Sequence, residues 1–311
     1  MRISFIALLL AFFANSVFSN KIDNLKTDKD VADFIISLSP NIQKGQDRVK
    51  FIIKPTDVLR KELACDGIAE KWQINNWEKF DFNEDGLTDI IVTSHWYNYD
   101  VYVAMDNGDN TFKLFKLSHD VFEKCKLGKP ATINNHPALL FYQVKQEPDR
   151  TRVFNYKQYG QIDTLIYKYG AFIEKNEKPA RYAIDSIIVK NSSCLGSCPS
   201  FTLAINKDRD ALYHANFYNP VDGKFTAKID KADYIGIIAL INYISIKNLK
   251  DHYAVPWTDD QTATLRIRFR DGSVKEITDY GEVGTFGLNK LYKMLSALRT
   301  SQNWAKSGKI L

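Results

Sequence analysis

The run Asp81-Phe82-Asn83-Glu84-Asp85-Gly86-Leu87-Thr88-Asp89 places oxygen-bearing side chains at its first, third, fifth and ninth positions. Such oxygens converge when the chain turns sharply at the sixth position, and Gly86 supplies the freedom for that turn. The backbone carbonyl of Leu87 adds to a shell of hard oxygens of the kind Ca2+ prefers. Asp81, Asn83, Asp85, Leu87 and Asp89 are therefore the expected Ca2+ ligands. An EF-hand requires Glu at the twelfth position, but Val92 stands there inside the β-like run Ile90-Ile91-Val92, which excludes that motif. The alternative reading is an acidic turn held by Asx hydrogen bonds without an ion.

Cys194-Leu195-Gly196-Ser197-Cys198-Pro199 carries the second candidate chemistry. Three readings are open: a structural disulfide, a thiol oxidoreductase and a copper site. Disulfides are the rule in oxidising compartments, and Cys65 with Cys125 would then form a separate bridge. A reactive thiolate needs a helix N-terminus or a nearby cation, whereas Pro199 leads into the alternating strand Phe201 to Ile205. The C-x3-C spacing with its trailing proline resembles the copper chaperones of cytochrome oxidase assembly. A third copper ligand would have to come from His214 or His252, and neither lies at the longer separation which that family uses.

Arg266, Arg268 and Arg270 alternate with Leu265, Ile267 and Phe269, so a strand would present all three guanidinium groups on one face. That face suits a carboxylate- or phosphate-bearing ligand; its ordinary alternative is a solvated surface paired with acidic neighbours. The five histidines show no metal-ligand spacing, and there is no nucleophile elbow, P-loop or dinucleotide fingerprint. No nucleotide or organic cofactor is expected. A hydrolase assembled from unlinked acidic residues is the weakest of the enzymatic readings, and a catalytic role is less expected than a binding one.

These residues must be positioned by the elements around them. Apolar spacing predicts helices over Asp28–Leu38, capped by Asp28 or Asp30, over Thr56–Leu63, over Lys231–Ile246 with Asp230 as N-cap, and over Gly287–Leu298. Strands are expected at Asp89–Thr93, Asp100–Met105, Thr111–Leu117, Ala138–Val144, Arg152–Tyr156 and Thr164–Glu174. Further strands follow at Ile184–Val189, Phe201–Ile205, Ala211–Tyr218, Lys224–Ile229, Thr262–Arg270 and Ser273–Thr278, with turns at Asp106–Asn110, Asp222-Gly223 and Asp271-Gly272. Without βαβ regularity, the fold class is α+β. A β-rich domain over residues 20–178 carries the aspartate loop. An α+β domain over 179–311, with a mainly antiparallel sheet and two helices, carries the cysteine turn. Asn176-Glu177-Lys178-Pro179 is the expected linker.

Met1 to Ser19 reads as a secretory signal, with Arg2, the apolar run Ile3 to Phe13, and Val17 and Ser19 before the cut. No cysteine lies near that point, so a lipid anchor is not expected, and no later segment approaches a transmembrane span. The 311 residues, 45% hydrophobic and 25% charged, exclude wholesale disorder. Residues 179–311 carry 18 Lys and Arg against 13 Asp and Glu, too slight an excess to imply nucleic acid.

Two resemblances follow from these residues. The aspartate loop, Ile90-Ile91-Val92 and the hairpin ending in Thr111-Phe112 resemble one calcium-loop repeat of integrin-type propellers, over Trp77 to Leu117. A propeller needs several blades, so the closed ring is not implied. Ile184 to Val189, the C-x-G-x-C-P turn and Phe201-Thr-Leu-Ala-Ile205 resemble a family of secreted bacterial domains known only as a domain of unknown function, number 6438. That likeness runs on through Trp257-Thr258-Asp259-Asp260, Asp271-Gly272 and Asp279-Tyr280, covering Ala183 to Leu298. It departs at Asn206 to Asp210, where relatives carry a glycine turn. The resemblance implies export and domain boundaries and brings no mechanism.

The combined expectation is an exported, periplasmic or extracellular protein of the bacterial envelope. Its role would be non-catalytic binding or structure, stabilised by Ca2+ and disulfides, toward an envelope or extracellular ligand. Thiol-redox or copper handling at Cys194 and Cys198 is the alternative.

Overall fold

Among the described residues, helices run from Asp28 to Lys71 and recur at two later places, and a twofold strand period fills most of the rest. The computed structural model describes residues 20–118, 125–148 and 156–307. The signal expected at Met1–Ser19 lies outside these residues, as does the strand expected over Arg152–Tyr156 except for Tyr156. The fold is α+β with largely antiparallel sheets.

Helix α1 (Asp28–Leu38) buries Val31, Phe34 and Ile35. Its N-cap is Thr27 rather than the expected Asp28 or Asp30. The Thr27 hydroxyl accepts from the Asp30 amide at 3.1 Å while the Asp30 carboxylate accepts from the Thr27 amide at 3.0 Å. This reciprocal capping box satisfies two orphan donors at once. Short helices α2 (Pro40–Gly45), α3 (Thr56–Glu62) and α4 (Ile68–Lys71) follow.

The first sheet is the up-and-down meander β1 (Trp77–Phe80), β2 (Asp89–His95), β3 (Tyr99–Asp106) and β4 (Phe112–Lys116). One face receives α1 and α2, with Ile90, Val92 and Tyr102 packed against Val31, Phe34, Ile35 and Ile42. The other face, with Ile91, Val101, Val103 and Met105, packs on Leu139, Phe141, Leu165 and Phe172 of a second sheet. Burial on both faces explains why Ile90-Ile91-Val92 is a continuous apolar run instead of an alternating one. The second sheet is another meander: β5 (Leu127–Ile133), β6 (His136–Pro148), β7 (Tyr156–Lys168) and β8 (Ala171–Glu174).

After residues 175–183 comes an eight-stranded sheet. Its strands are β9 (Ile184–Asn191), β10 (Phe201–Asn206), β11 (Asp210–Ala215), β12 (Gly223–Lys228), β13 (His252–Ala254), β14 (Thr262–Phe269), β15 (Val274–Tyr280) and β16 (Ala305–Lys306). They lie in the order β13-β15-β14-β9-β10-β11-β12-β16, antiparallel except for β13 beside β15. Helices α5 (Lys231–Tyr243) and α6 (Phe286–Ser301) cover one face, where Val189, Leu203, Ile205 and Leu265 meet Ile237, Ile241, Leu291 and Leu295. Asp230 is the N-cap residue of α5, but its side chain makes no capping hydrogen bond; its own amide is held by Gln302 at 2.9 Å. Among the described residues, no helix is long and apolar enough to cross a membrane.

The second sheet meets this last unit at the start of α6. Glu174, ending β8, accepts from the Phe286 amide at 2.6 Å and the Gly287 amide at 2.8 Å, and the Thr285 hydroxyl accepts from the Leu288 amide at 3.1 Å. Three of the free amides at the helix N-terminus are thus satisfied, two of them by an anion, the charge that a helix N-terminus favours. Gly287 makes the approach possible: a Cβ there would lie 2.5 Å from Ile244 Cγ2 and 3.3 Å from the Glu174 carboxylate. Replacing Glu174 by Ala should cost about 2–4 kcal/mol, since charge-assisted hydrogen bonds contribute roughly 1.5–3 kcal/mol each before desolvation is offset. Glu174→Gln, which keeps an acceptor, should cost roughly half as much. Guanidinium unfolding of both variants measures this, and equal costs would refute the capping role.

Candidate functional site: acidic loop, cysteine turn and cleft

The acidic loop spans the turn from β1 to β2. Asp81 Oδ1 accepts from the amides of Asn83 at 3.2 Å and Glu84 at 2.8 Å, and its Oδ2 from the Gly86 amide at 2.9 Å. Asp85 accepts from the Leu87 amide at 2.9 Å and from the Asn83 side-chain amide at 2.8 Å. Gly86 has φ +82°, the left-handed conformation the sharp turn requires. Asp89 is fully buried and bridges two segments, accepting from the Phe82 amide at 2.9 Å and the Asp106 amide at 2.8 Å. Burial pushes its carboxyl up to about 7, its two backbone donors oppose that, and the charges of Asp85 and Asp81 add to it. The Oδ1 of Asn83 is buried without a hydrogen-bond partner. Asp81, Asn83, Asp85, Leu87 and Asp89 therefore lie together at the β1–β2 turn: Asp81 and Asp85 hold the loop's own amides, Asn83 donates to Asp85, and Asp89 ties the turn to Asp106. Among the described residues, no three His, Cys, Asp or Glu side chains converge as a ready metal shell.

The four cysteines form two bridges. Cys65, between α3 and α4, joins Cys125 just before β5, with Cα atoms 5.3 Å apart. Cys194 joins Cys198 within the β9–β10 connection, with Cα atoms 5.6 Å apart. That connection is clamped from the start of β14: Gln261 donates to the carbonyls of Ser192 at 2.6 Å and Pro199 at 2.8 Å. Leu195, between the cysteines, is 80% exposed. The strand after Pro199 provides no helix N-terminus for a thiolate, and His214 and His252 join no metal-ligating group with the cysteines.

The arginine row is placed partly as expected. Arg266 and Arg268 are exposed on β14 while Leu265, Ile267 and Phe269 are buried. β14 ends at Phe269, so Arg270 belongs to the turn. Arg266 pairs with Glu276 at 3.1 Å across the hairpin, both about half exposed.

Sequence reasoning missed a cleft of about 600 Å3 between the β6–β7 ribbon and the segment leading into α6. Gln143, Lys145, Lys157, Tyr159, Gln161 and Asp163 line one wall. Lys250, His252, Tyr253, Gly284, Thr285 and Phe286 line the other, and Glu174 closes the base. Gln143 faces Gln161 and Lys145 faces Tyr159 in the strand register. Burial pushes the Glu174 carboxyl up, against its bonds to α6. Behind the second wall, Asp279 is fully buried and accepts from the Val283 amide at 2.8 Å and the Gly284 amide at 3.0 Å. Burial pushes its carboxyl up to about 6, opposed by those two amides and by Lys145. The only sequence signal for the cleft is the same-face polar set Gln143, Lys145, Lys157, Gln161 and Asp163 on paired strands.

A family model described as a domain of unknown function (DUF6438) matches residues 185–299. The match covers the cysteine turn, the arginine strand and the α6 wall of the cleft, and leaves the β6–β7 wall outside. No curated protein and no solved structure gives a significant match.

Two outcomes follow. The chain-entropy relation gives about 4 kcal/mol for a bridge closing a loop of 60 residues and about 2 kcal/mol for one closing 4. Denaturant unfolding of the Cys65→Ala/Cys125→Ala and Cys194→Ala/Cys198→Ala variants should therefore rank the first pair as costlier. Asp279 keeps its proton to a higher pH when folded, so its contribution is present below about 4 and lost as pH rises to about 6. The loss approaches 3 kcal/mol at about 1.36 kcal/mol per unit. In Asp279→Asn, whatever its constant cost, stability measured by urea unfolding between pH 4 and 7 should fall less steeply than in the parent.

Proposed function

We propose that this is an exported, non-catalytic binding protein of the bacterial envelope. In this reading its N-terminal half is stabilised by Ca2+ and both halves by disulfides. Export is supported by the Arg2 start and the apolar run Ile3–Phe13, and by the pairing of every cysteine. The observation that carries the Ca2+ reading is the buried, unpartnered Asn83 Oδ1, enclosed in a loop with Asp81, Asp85 and Asp89. A buried acceptor without a donor costs roughly 1–3 kcal/mol, and a hard cation would engage it.

Asp81, Asn83, Asp85, the Leu87 carbonyl and Asp89 would hold the ion. Its contribution would be charge neutralisation that fixes the β1–β2 turn. Because Asp89 also holds the first residues of the β3–β4 turn through the Asp106 amide, the ion would stiffen two adjacent turns. Only the loop is carried over from the propeller likeness, not the ring.

Ca2+ at about a hundred times its Kd should stabilise the protein by about 2.7 kcal/mol, several degrees in Tm. Thermal melting with CaCl2 and with EGTA reads this directly. Asp85→Ala should abolish the shift, and a shift that survives the substitution would place the ion elsewhere.

A further inference from the structure

We propose that the cleft between the β6–β7 ribbon and the α6 segment binds an acidic sugar, a polyhydroxylated ring carrying a carboxylate. The proposal rests on reading this protein as a binding module and names the ligand class.

The floor decides the first half of that chemistry. Gln143 and Gln161 stand opposite each other on β6 and β7. Both turn their side-chain nitrogens onto Asp163, at 3.2 Å to Oδ2 and 2.7 Å to Oδ1. This shared anchor fixes both amides with their Oε1 atoms unspent, since no hydrogen bond to either forms among the described residues. Gln143 is only 3% exposed, so its carbonyl is a preorganised acceptor at the cleft base. Neutral acceptors in a row call for hydroxyl donors. An ammonium would compete for the same acceptors, so an amino acid is included among the test ligands. A purely apolar ligand would strand the amide carbonyls, which is the strongest basis for selectivity a polar pocket has.

The upper wall decides the second half. Lys145 and Lys157 lie on the cleft face of the ribbon and form no ion pair among the described residues. These ammonium groups favour an anion at the mouth, while Asp163 and Glu174 repel one at the base. A ligand with a single carboxylate at one end and hydroxyls at the other meets both conditions. A free phosphate or a simple dicarboxylate meets only one. Tyr159, Tyr253 and Phe286 supply flat aromatic surface along the walls for the ring's C–H faces. The volume, about 600 Å3, lies in the roughly 300–1,000 Å3 range of small-molecule sites.

Calorimetric titration of the exported, disulfide-intact protein with galacturonate, galactose and L-glutamate tests this. Galacturonate should bind at one site, at least about tenfold tighter than the other two, and weaken as NaCl rises from about 50 to 500 mM. The Lys145→Gln/Lys157→Gln variant should lose at least about tenfold for galacturonate and little for galactose. Shifts of the Gln143 and Gln161 side-chain amide resonances on titration provide a readout that needs no variant. Equal affinity for the acidic and neutral sugars, tighter binding of glutamate, or no saturable binding of galacturonate would each overturn the assignment. The Ca2+-dependent melt is read separately, so loss of the sugar class and loss of the calcium reading are distinguishable.

Discussion

The junction of the two halves depends on one carboxylate meeting one helix end. Glu174 sits at the last residue of β8 and takes the first two amides of α6. Around it, Ile173 joins the core of the eight-stranded unit, and Phe286 from that unit packs edge-on to Phe141 at 5.5 Å. A helix N-terminus placed against another unit must find acceptors for its free amides, or the interface would strand them. The acid answers that constraint and fixes the direction in which α6 leaves the junction. The cleft exists because this contact holds the two walls together at their base while leaving them apart above.

The same solution recurs wherever a turn must be rigid. Asp89 links the β1–β2 and β3–β4 turns, and Asp279 braces the Val283–Gly284 segment. In both, burial raises the carboxyl and backbone amides oppose that rise. Asp100 is the case with true counter-ions. Burial pushes its carboxyl up, but Lys126 at 2.8 Å, the Ser118 hydroxyl and Lys116 outweigh burial and hold it below the usual range. Buried pairs of that kind are costly to break from one side, since the partner charge is left without compensation.

What could be read in advance was what is local. The α+β class, the main helices and the hairpin around Asp106–Asn110 follow from periodicity and turn residues. The cap of α1 falls at Thr27, ahead of the expected Asp28 or Asp30, because Thr27 forms a reciprocal pair with Asp30. The cleft was not legible, because it is assembled from segments more than a hundred residues apart. Gln143 and Gln161 look like ordinary strand residues until the register sets them face to face. Glu174 reads as the polar end of a strand, and nothing near it in the chain announces a helix that begins at Phe286. The three-residue β13, parallel to β15, has too little sequence to show any period.

Those short strands have a further consequence. The eight-stranded sheet ends in β13, three residues long, on one side and β16, two residues long, on the other. Exposed sheet edges are templates for pairing with other chains, and stubs of this length deny a second molecule a continuous ladder of backbone groups. β16 pairs with β12 at Phe225 and Thr226, and the Ser307 amide extends the contact to the Lys224 carbonyl at 2.8 Å, which breaks the run a foreign strand would need. At both ends of this sheet a foreign strand therefore finds only two or three residues of described edge strand to pair with.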